Sequence, residues 1–243
     1  MSTFFIAIGL SLVGGLGGLL LASGVLLVND SVRSRLVPWL VSYAVGALLG
    51  VSMLALLPAT LEQLPSGQVF TTLLGGILLF FLLEKLVLWR HCHIHDCEVH
   101  DGSIVPVLVG DAFHNFVDGA VIAAAVITSV PLGVSTAFAV AAHEIPQELG
   151  DFALLLHAGY SRGRALLLNV LSGGASAAGA VAAFVAIDSL PHLLPYVLIL
   201  AAASFLYVAM ADLIPGLHRG RTDAGSLPQI VLIAAGVATV HVL

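Results

Sequence analysis

Eight apolar runs, most of them about twenty residues long, follow one another along the chain with only short polar breaks between them. They cover roughly Phe4–Val28, Trp39–Leu61, Val69–Trp89, Ile104–Ser129, Leu132–His157, Ala165–Ile187, Leu193–Leu213 and Leu227–Leu243. A run of this length can cross the hydrocarbon core of a bilayer as a helix. Inside that core every backbone donor and acceptor must find its partner within the segment, which helices achieve alone. Only 9% of the residues are charged and 59% are hydrophobic, too few polar side chains to cover a water-facing surface. The predicted fold class is therefore an all-α polytopic membrane protein with eight transmembrane helices. A single transmembrane domain is expected over 1–243. Its longest polar break, about 90–103, is too short to fold alone.

The basic residues orient this bundle. Arg33 and Arg35 follow the first run, Lys85 and Arg90 end the third, Arg162 and Arg164 follow the fifth, and Arg219 and Arg221 follow the seventh. All eight fall on one side, which the positive-inside rule makes cytoplasmic, with both termini extracytoplasmic. Eight basic residues without an aromatic-laced patch exclude nucleic acid as a partner; the lipid bilayer is the expected surroundings. Met1-Ser2-Thr3 lacks the positive region of a cleavable signal, so the first run is expected to stay as a helix. Cys92 and Cys97 lie in a segment placed in the cytoplasm, where a disulfide is not expected. Small residues (Gly14, Gly15, Gly17 and Gly18; Gly46 and Gly50; Ser172 to Ala180) predict close helix packing.

Spans four and five carry polar residues that hydrocarbon does not tolerate without compensation. In span four, Asp111, His114, Asn115 and Asp118 stand at i, i+3, i+4 and i+7, one helical face. In span five, His143, Glu144, Gln147, Glu148 and Asp151 cover an arc of about 140°. The five-residue connection Ser129 to Gly133 makes the two helices antiparallel neighbours, and a rise of about 1.5 Å per residue puts both polar sets near mid-membrane. Charged and unpaired, Asp118, Glu144 and Glu148 would cost on the order of 8–10 kcal/mol on the insertion scale. No Lys or Arg lies in either span. Compensation must come from protons, water or a bound cation. Imidazole beside carboxylate and amide oxygen suits zinc, with ferrous iron, manganese and cadmium also compatible. The absence of embedded Cys, and of Met in these two spans, disfavours copper(I), and histidine disfavours magnesium and calcium. Pro146 frees the carbonyl of Ala142 and predicts irregular backbone beside these groups.

These residues carry a resemblance to the ZIP (Zrt/Irt-like) metal transporters, in the branch with H-N-x-x-D-G and H-E-x-P-H-E-x-G-D. Here the motifs stand as His114-Asn115-Phe116-Val117-Asp118-Gly119 and His143-Glu144-Ile145-Pro146-Gln147-Glu148-Leu149-Gly150-Asp151. Leu206 to Pro215 in span seven, ending Asp212-Leu213-Ile214-Pro215, and a His-bearing loop after span three extend the likeness. The resemblance implies an importer of divalent metal toward the cytoplasm, with zinc as substrate rather than cofactor. It implies a 3+2+3 arrangement in which the outer triplets are inverted repeats. A first metal would meet His114, Asp118, His143 and Gln147; a second would meet Asn115, Asp118, Glu144 and Gln147. Glu148 completes the metal-facing set, and Asp111 matches an acidic position on the family's pathway. Gln147 stands where the family carries His or a carboxylate, which favours one well-occupied site. Closeness to bacterial-type members implies a bacterial inner membrane.

Other polar groups take secondary roles. Asp151, His157, Asp212 and His218 form a candidate second tier toward the cytoplasm. His91, His93, His95 and His100, with Cys92 and Cys97, suit transient cytoplasmic metal capture. Glu84 and Lys85 read as a self-paired interfacial anchor, and Met53 as a packing residue. Enzymatic function is not expected: a membrane-embedded zinc hydrolase would want H-E-x-x-H, but His143-Glu144-Ile145-Pro146-Gln147 lacks the second histidine. A non-transporting metal sensor is the other alternative. A homodimer is compatible with this reading.

Overall fold

The computed structural model describes residues 2–91, 104–219 and 226–243. Within them the chain is helical, as eight rods: α1 Ser2–Leu27, α2 Asp30–Leu61, α3 Ser66–His91, α4 Ile104–Thr128, α5 Val130–His157, α6 Arg162–Ser189, α7 Pro191–His218 and α8 Ser226–Val242. Six of these, α1 to α4, α6 and α7, are long and apolar enough to cross a membrane. The 28 residues of α5 would also span, but that helix holds His143, Glu144, Gln147, Glu148 and Asp151. α8 is apolar and 17 residues long.

Local chemistry sets the helix ends. Ser129, in extended conformation, accepts from the Leu132 amide and starts α5, with Pro131 in the first turn where its missing N–H costs nothing. α5 stops at Gly159, whose φ of 87° closes a Schellman motif: Tyr160 N–H donates to Leu155 O and Gly159 N–H to Leu156 O. Asn29 caps α2 through the Val32 amide at 3.0 Å. That cap moves the second helix's start to Asp30, well before the expected Trp39, so Arg33 and Arg35 ride on its first turns. Pro38 is accommodated within the same helix.

The irregular backbone expected beside Pro146 is absent, and α5 is helical through it. Wide π turns occur instead at Val51–Leu56 in α2 and Val208–Leu213 in α7. In each, an i→i−5 bond leads into a proline: Leu57 N–H to Ser52 O before Pro58, and Ile214 N–H to Ala209 O before Pro215. The extra residue relieves the clash between the proline ring and the preceding turn. The two segments are internal repeats, Val51-Ser52-Met53-Leu54-Ala55-Leu56-Leu57-Pro58 and Val208-Ala209-Met210-Ala211-Asp212-Leu213-Ile214-Pro215. Met53 and Met210 occupy equivalent places and both are exposed, so Met53 is not the packing residue expected of it.

Two tight groups make up the bundle. α1, α4, α5 and α6 pack together, and α2, α3, α7 and α8 form the second group, joined to the first through α2 on α5 and α4 on α7. Glycines make the closest crossings possible. A side chain on Gly119 would strike the Ser176 carbonyl, and one on Gly179 the Phe116 carbonyl, so α4 and α6 touch backbone to backbone. Gly18 of α1 lies against Glu144, and Gly46 and Gly236 join α2 to α8 in the same way. The apolar core between the groups is built on Leu48, Leu56, Ile122, Leu198, Ile199 and Phe205. α3 turns Phe70, Leu74, Leu78, Phe81 and Leu82 outward, as a lipid-facing helix would.

Candidate metal site

Antiparallel packing of α4 on α5 brings the two polar faces into one register. His114 meets His143, Asp118 meets His143, and Asp111 meets Gln147. Four ligand atoms converge, from His114, Asp118, His143 and Glu144, all within 4.8 Å of one another. His143 Nε2 is 3.1 Å from Asp118 Oδ2, 3.2 Å from His114 Nε2 and 3.8 Å from Glu144 Oε1. His114 Nε2 is 3.6 Å from Asp118 Oδ2 and 3.7 Å from Glu144 Oε1. A tetrahedral ion held at about 2.0–2.1 Å has ligand–ligand edges of about 3.3–3.4 Å. The observed separations bracket that value.

Each side chain is held by its surroundings. His143 Nδ1 lies 3.1 Å from the Ala139 carbonyl. A carbonyl can only accept, so in the neutral ring Nδ1 carries the proton and Nε2 presents a lone pair. That lone pair faces the Asp118 carboxylate, where only a cation or a proton makes the contact favourable. The ring of Phe205 in α7 stands 5.9 Å from the His143 ring. Glu144 is fully buried against α1 at Gly18, and neither of its oxygens has a hydrogen-bond partner. Asp118 and His143 are each 2% exposed, whereas His114 keeps 25% of its side chain open. Neither α4 nor α5 contributes a Lys or Arg.

The remaining expected residues divide. Gln147 is engaged with Asp111 of α4, its Nε2 donating to Asp111 Oδ1 at 2.9 Å. Asn115 is buried and donates to the same oxygen at 3.2 Å. Glu148 is buried one turn further along α5, outside the four-atom cluster, with Asp151 half-buried beyond it. His157 and His218 are exposed at the ends of α5 and α7. Asp212 lies in the α7 π turn, exposed, within electrostatic reach of Glu84 and His114. His91 is the last residue of α3, and His93, His95 and His100 lie outside the described residues.

Sequence reasoning overlooked two relationships. Glu84 accepts a hydrogen bond from the Tyr207 hydroxyl, while Lys85 lies over the Phe81 ring at 5.6 Å. Neighbouring residues on a helix do not face one another, so Glu84 and Lys85 have different surroundings. The second is the meeting of Asn169 of α6 with Glu148, both buried; Asn169 stands where some members of the resembled family carry a carboxylate, but one span does not reveal its neighbour.

Known proteins match this chain along most of its length. A family model described as ZIP Zinc transporter matches residues 90–243. The zinc transporter ZIP13 of Pongo abelii is 32% identical over 232 residues, covering 86% of this chain and 69% of that protein. Human zinc transporter ZIP4 is 44% identical over 115 residues, 47% of this chain and 18% of that protein. The zinc transporter foi of Drosophila melanogaster is 36% identical over 132 residues, 54% of this chain and 19% of that protein. The last two alignments thus span about a fifth of their relatives' length.

Proposed function

This chain belongs to the ZIP zinc transporter family, a family of transporters rather than enzymes, and from that premise we propose that it carries divalent transition-metal ions, above all zinc, across a membrane toward the cytoplasm. The observation that carries this reading is the convergence of His114, Asp118, His143 and Glu144 at tetrahedral spacing with no basic residue in either helix. Zinc is the substrate, and ferrous iron, manganese and cadmium suit the same donors. Asn115 and Gln147 act by fixing Asp111 beside the site. Asp212, within electrostatic reach of partly open His114, belongs to a route away from the tetrad together with Asp111, Asp151, His157 and His218. His91, His93, His95 and His100 serve metal capture at the loop after α3.

The repeat shared by α2 and α7 supports a 3+2+3 layout of one transport domain, with α4 and α5 central. The one-sided placement of the basic residues supports extracytoplasmic termini and, with the sequence resemblance, a bacterial inner membrane; a homodimer is compatible. Purified protein in liposomes should take up radiolabelled zinc, cadmium should compete, and His143→Ala should lose uptake. Wild-type uptake by that variant would remove the tetrad from the mechanism.

A further inference from the structure

Beyond the tetrad, toward the end of the bundle that carries Arg162 and Arg164, the structure leaves a second set of polar groups unsatisfied. Glu148 is 0% exposed, and its carboxylate has no hydrogen-bond partner apart from Asn169 beside it. Asn169 is 0% exposed, and its amide has no partner apart from Glu148. Asp111 keeps one buried oxygen, Oδ2, without a partner, and so does the Ser172 hydroxyl. Unpaired buried groups of this number are rare in native interiors, because each costs its full desolvation.

Register places these groups at one level on three helices. In the α4–α5 pair, Asp111 faces Gln147, so Glu148 and Asp151 lie level with the α4 turn that holds Asp111. α6 runs alongside α4 with Ser176 at Gly119 and Gly179 at Phe116, which puts Asn169 within about one turn of the same level. Asn169 stands beside Glu148, and Asp111 and Asp151 are within electrostatic reach of it. That level is about 6–10 Å along the helices from the tetrad, at about 1.5 Å per residue. The nearest cation on α6, Arg164, is stacked over the Tyr160 ring at 4.8 Å.

We propose that Asp111, Glu148, Asp151 and Asn169 form a second divalent-cation site, one to two turns from the tetrad, which holds the ion partly hydrated through oxygen donors alone. The inference rests on the tetrad being the transport site, since it makes this the next station on the same path. Its residues are distinct from any second metal position built on Asn115, Asp118, Glu144 and Gln147. The donor set dictates its chemistry. Carboxylate and amide oxygens without imidazole favour hard cations and retain water, so zinc binds here more weakly than at the tetrad, and manganese binds here in preference. A weak oxygen site after a tight mixed one lets an ion leave without being freed into hydrocarbon.

Equilibrium dialysis of the purified protein in detergent, with zinc alone and with manganese alone, tests the assignment. Wild-type protein should hold two zinc ions per chain with affinities at least tenfold apart, and its tighter manganese ion at the oxygen site. Glu148→Gln and Asn169→Leu should each lose the weaker zinc and the tighter manganese while keeping the tighter zinc. Asp151→Asn, at a half-buried position, should weaken manganese at least tenfold and guards against a folding defect in the other two. His143→Ala should lose the tighter zinc and keep manganese; if it does not, the tetrad reading fails while this one stands. A single zinc in the wild type, or unchanged manganese binding in Glu148→Gln and Asp151→Asn, would overturn the second site.

Discussion

Gln147 donates its side-chain amide to Asp111 across the α4–α5 interface, Nε2 to Oδ1 at 2.9 Å, one turn along α5 from His143 and Glu144 of the tetrad. The family motif places a metal ligand at this position, and helical projection alone agrees, since residue 147 falls between 143 and 144 around the α5 axis. In the structure that side chain is engaged elsewhere. Gln147 sits one turn further along α5, opposite Asp111, and Asp111 already accepts from Asn115. The pair is a brace, and Glu144 supplies the fourth His or carboxylate atom of the cluster.

Gln147→Ala should therefore leave zinc affinity at the tetrad within about threefold of wild type while lowering stability. The lost bond goes to a carboxylate, and such bonds contribute about 1.5–3 kcal/mol. Zinc titration calorimetry beside thermal unfolding separates the two effects. A loss of zinc affinity beyond tenfold with unchanged stability would return Gln147 to the coordination sphere.

The glycine crossings should be as intolerant as the site. Gly119→Val would drive a side chain into the Ser176 carbonyl, an atom of helix backbone that cannot swing aside. The cost should exceed the roughly 1–3 kcal/mol of ordinary overpacking. Gly150, exposed and with open space where a side chain would stand, is the control. Gly150→Ala should hold or raise stability by about 0.5–1 kcal/mol, because alanine favours helix. Thermal unfolding in detergent checks both, and a folded Gly119→Val with wild-type stability would contradict the backbone contact.

Ser66, at the start of α3, and Ser189, at the end of α6, are both exposed and lie at the end of the bundle opposite Arg162 and Arg164. A cysteine at either position should react with an impermeant thiol reagent added outside intact cells, whereas Cys92 and Cys97 should react only after permeabilisation. The opposite pattern would invert the orientation and leave the metal site intact.

Much of this architecture is legible in the sequence because the bilayer permits so few solutions. Apolar runs became helices, and the i, i+3, i+4, i+7 spacing of Asp111, His114, Asn115 and Asp118 became one wall of the site. What escaped depended on pairs of helices. The π turns before Pro58 and Pro215 emerge only when α2 is compared with α7, since neither segment alone differs from an ordinary proline-bearing span. The early start of α2 turned on the Asn29 cap, a local signal outweighed by the charges of Arg33 and Arg35. The bond from Gln147 to Asp111, and the meeting of Glu148 with Asn169, required the relative heights of α4, α5 and α6. No periodicity along one helix encodes those heights.

His114→Ala and Asp118→Ala should both abolish zinc uptake while leaving the protein inserted and folded. Asp118 is 2% exposed, and no Lys or Arg on α4 or α5 offsets its charge. Removing it relieves a desolvation cost that no Lys or Arg on those helices repays and that only His114 and His143 offset without metal, so stability of the metal-free protein should hold. Binding responds in the opposite direction. Asp118 Oδ2 lies within 3.6 Å of both histidine nitrogens, and its loss takes away one ligand and the only charge that α4 brings to the tetrad. His114 contributes the one partly open corner, at 25% exposure, so its loss removes both a ligand and the point of ion exchange. Affinity should fall by more than the roughly 10–100-fold that follows from disturbing an outer-shell partner. Proteoliposome uptake measured beside thermal unfolding with and without zinc tests both directions together. Either variant transporting zinc at the wild-type rate would mean that the ion crosses elsewhere.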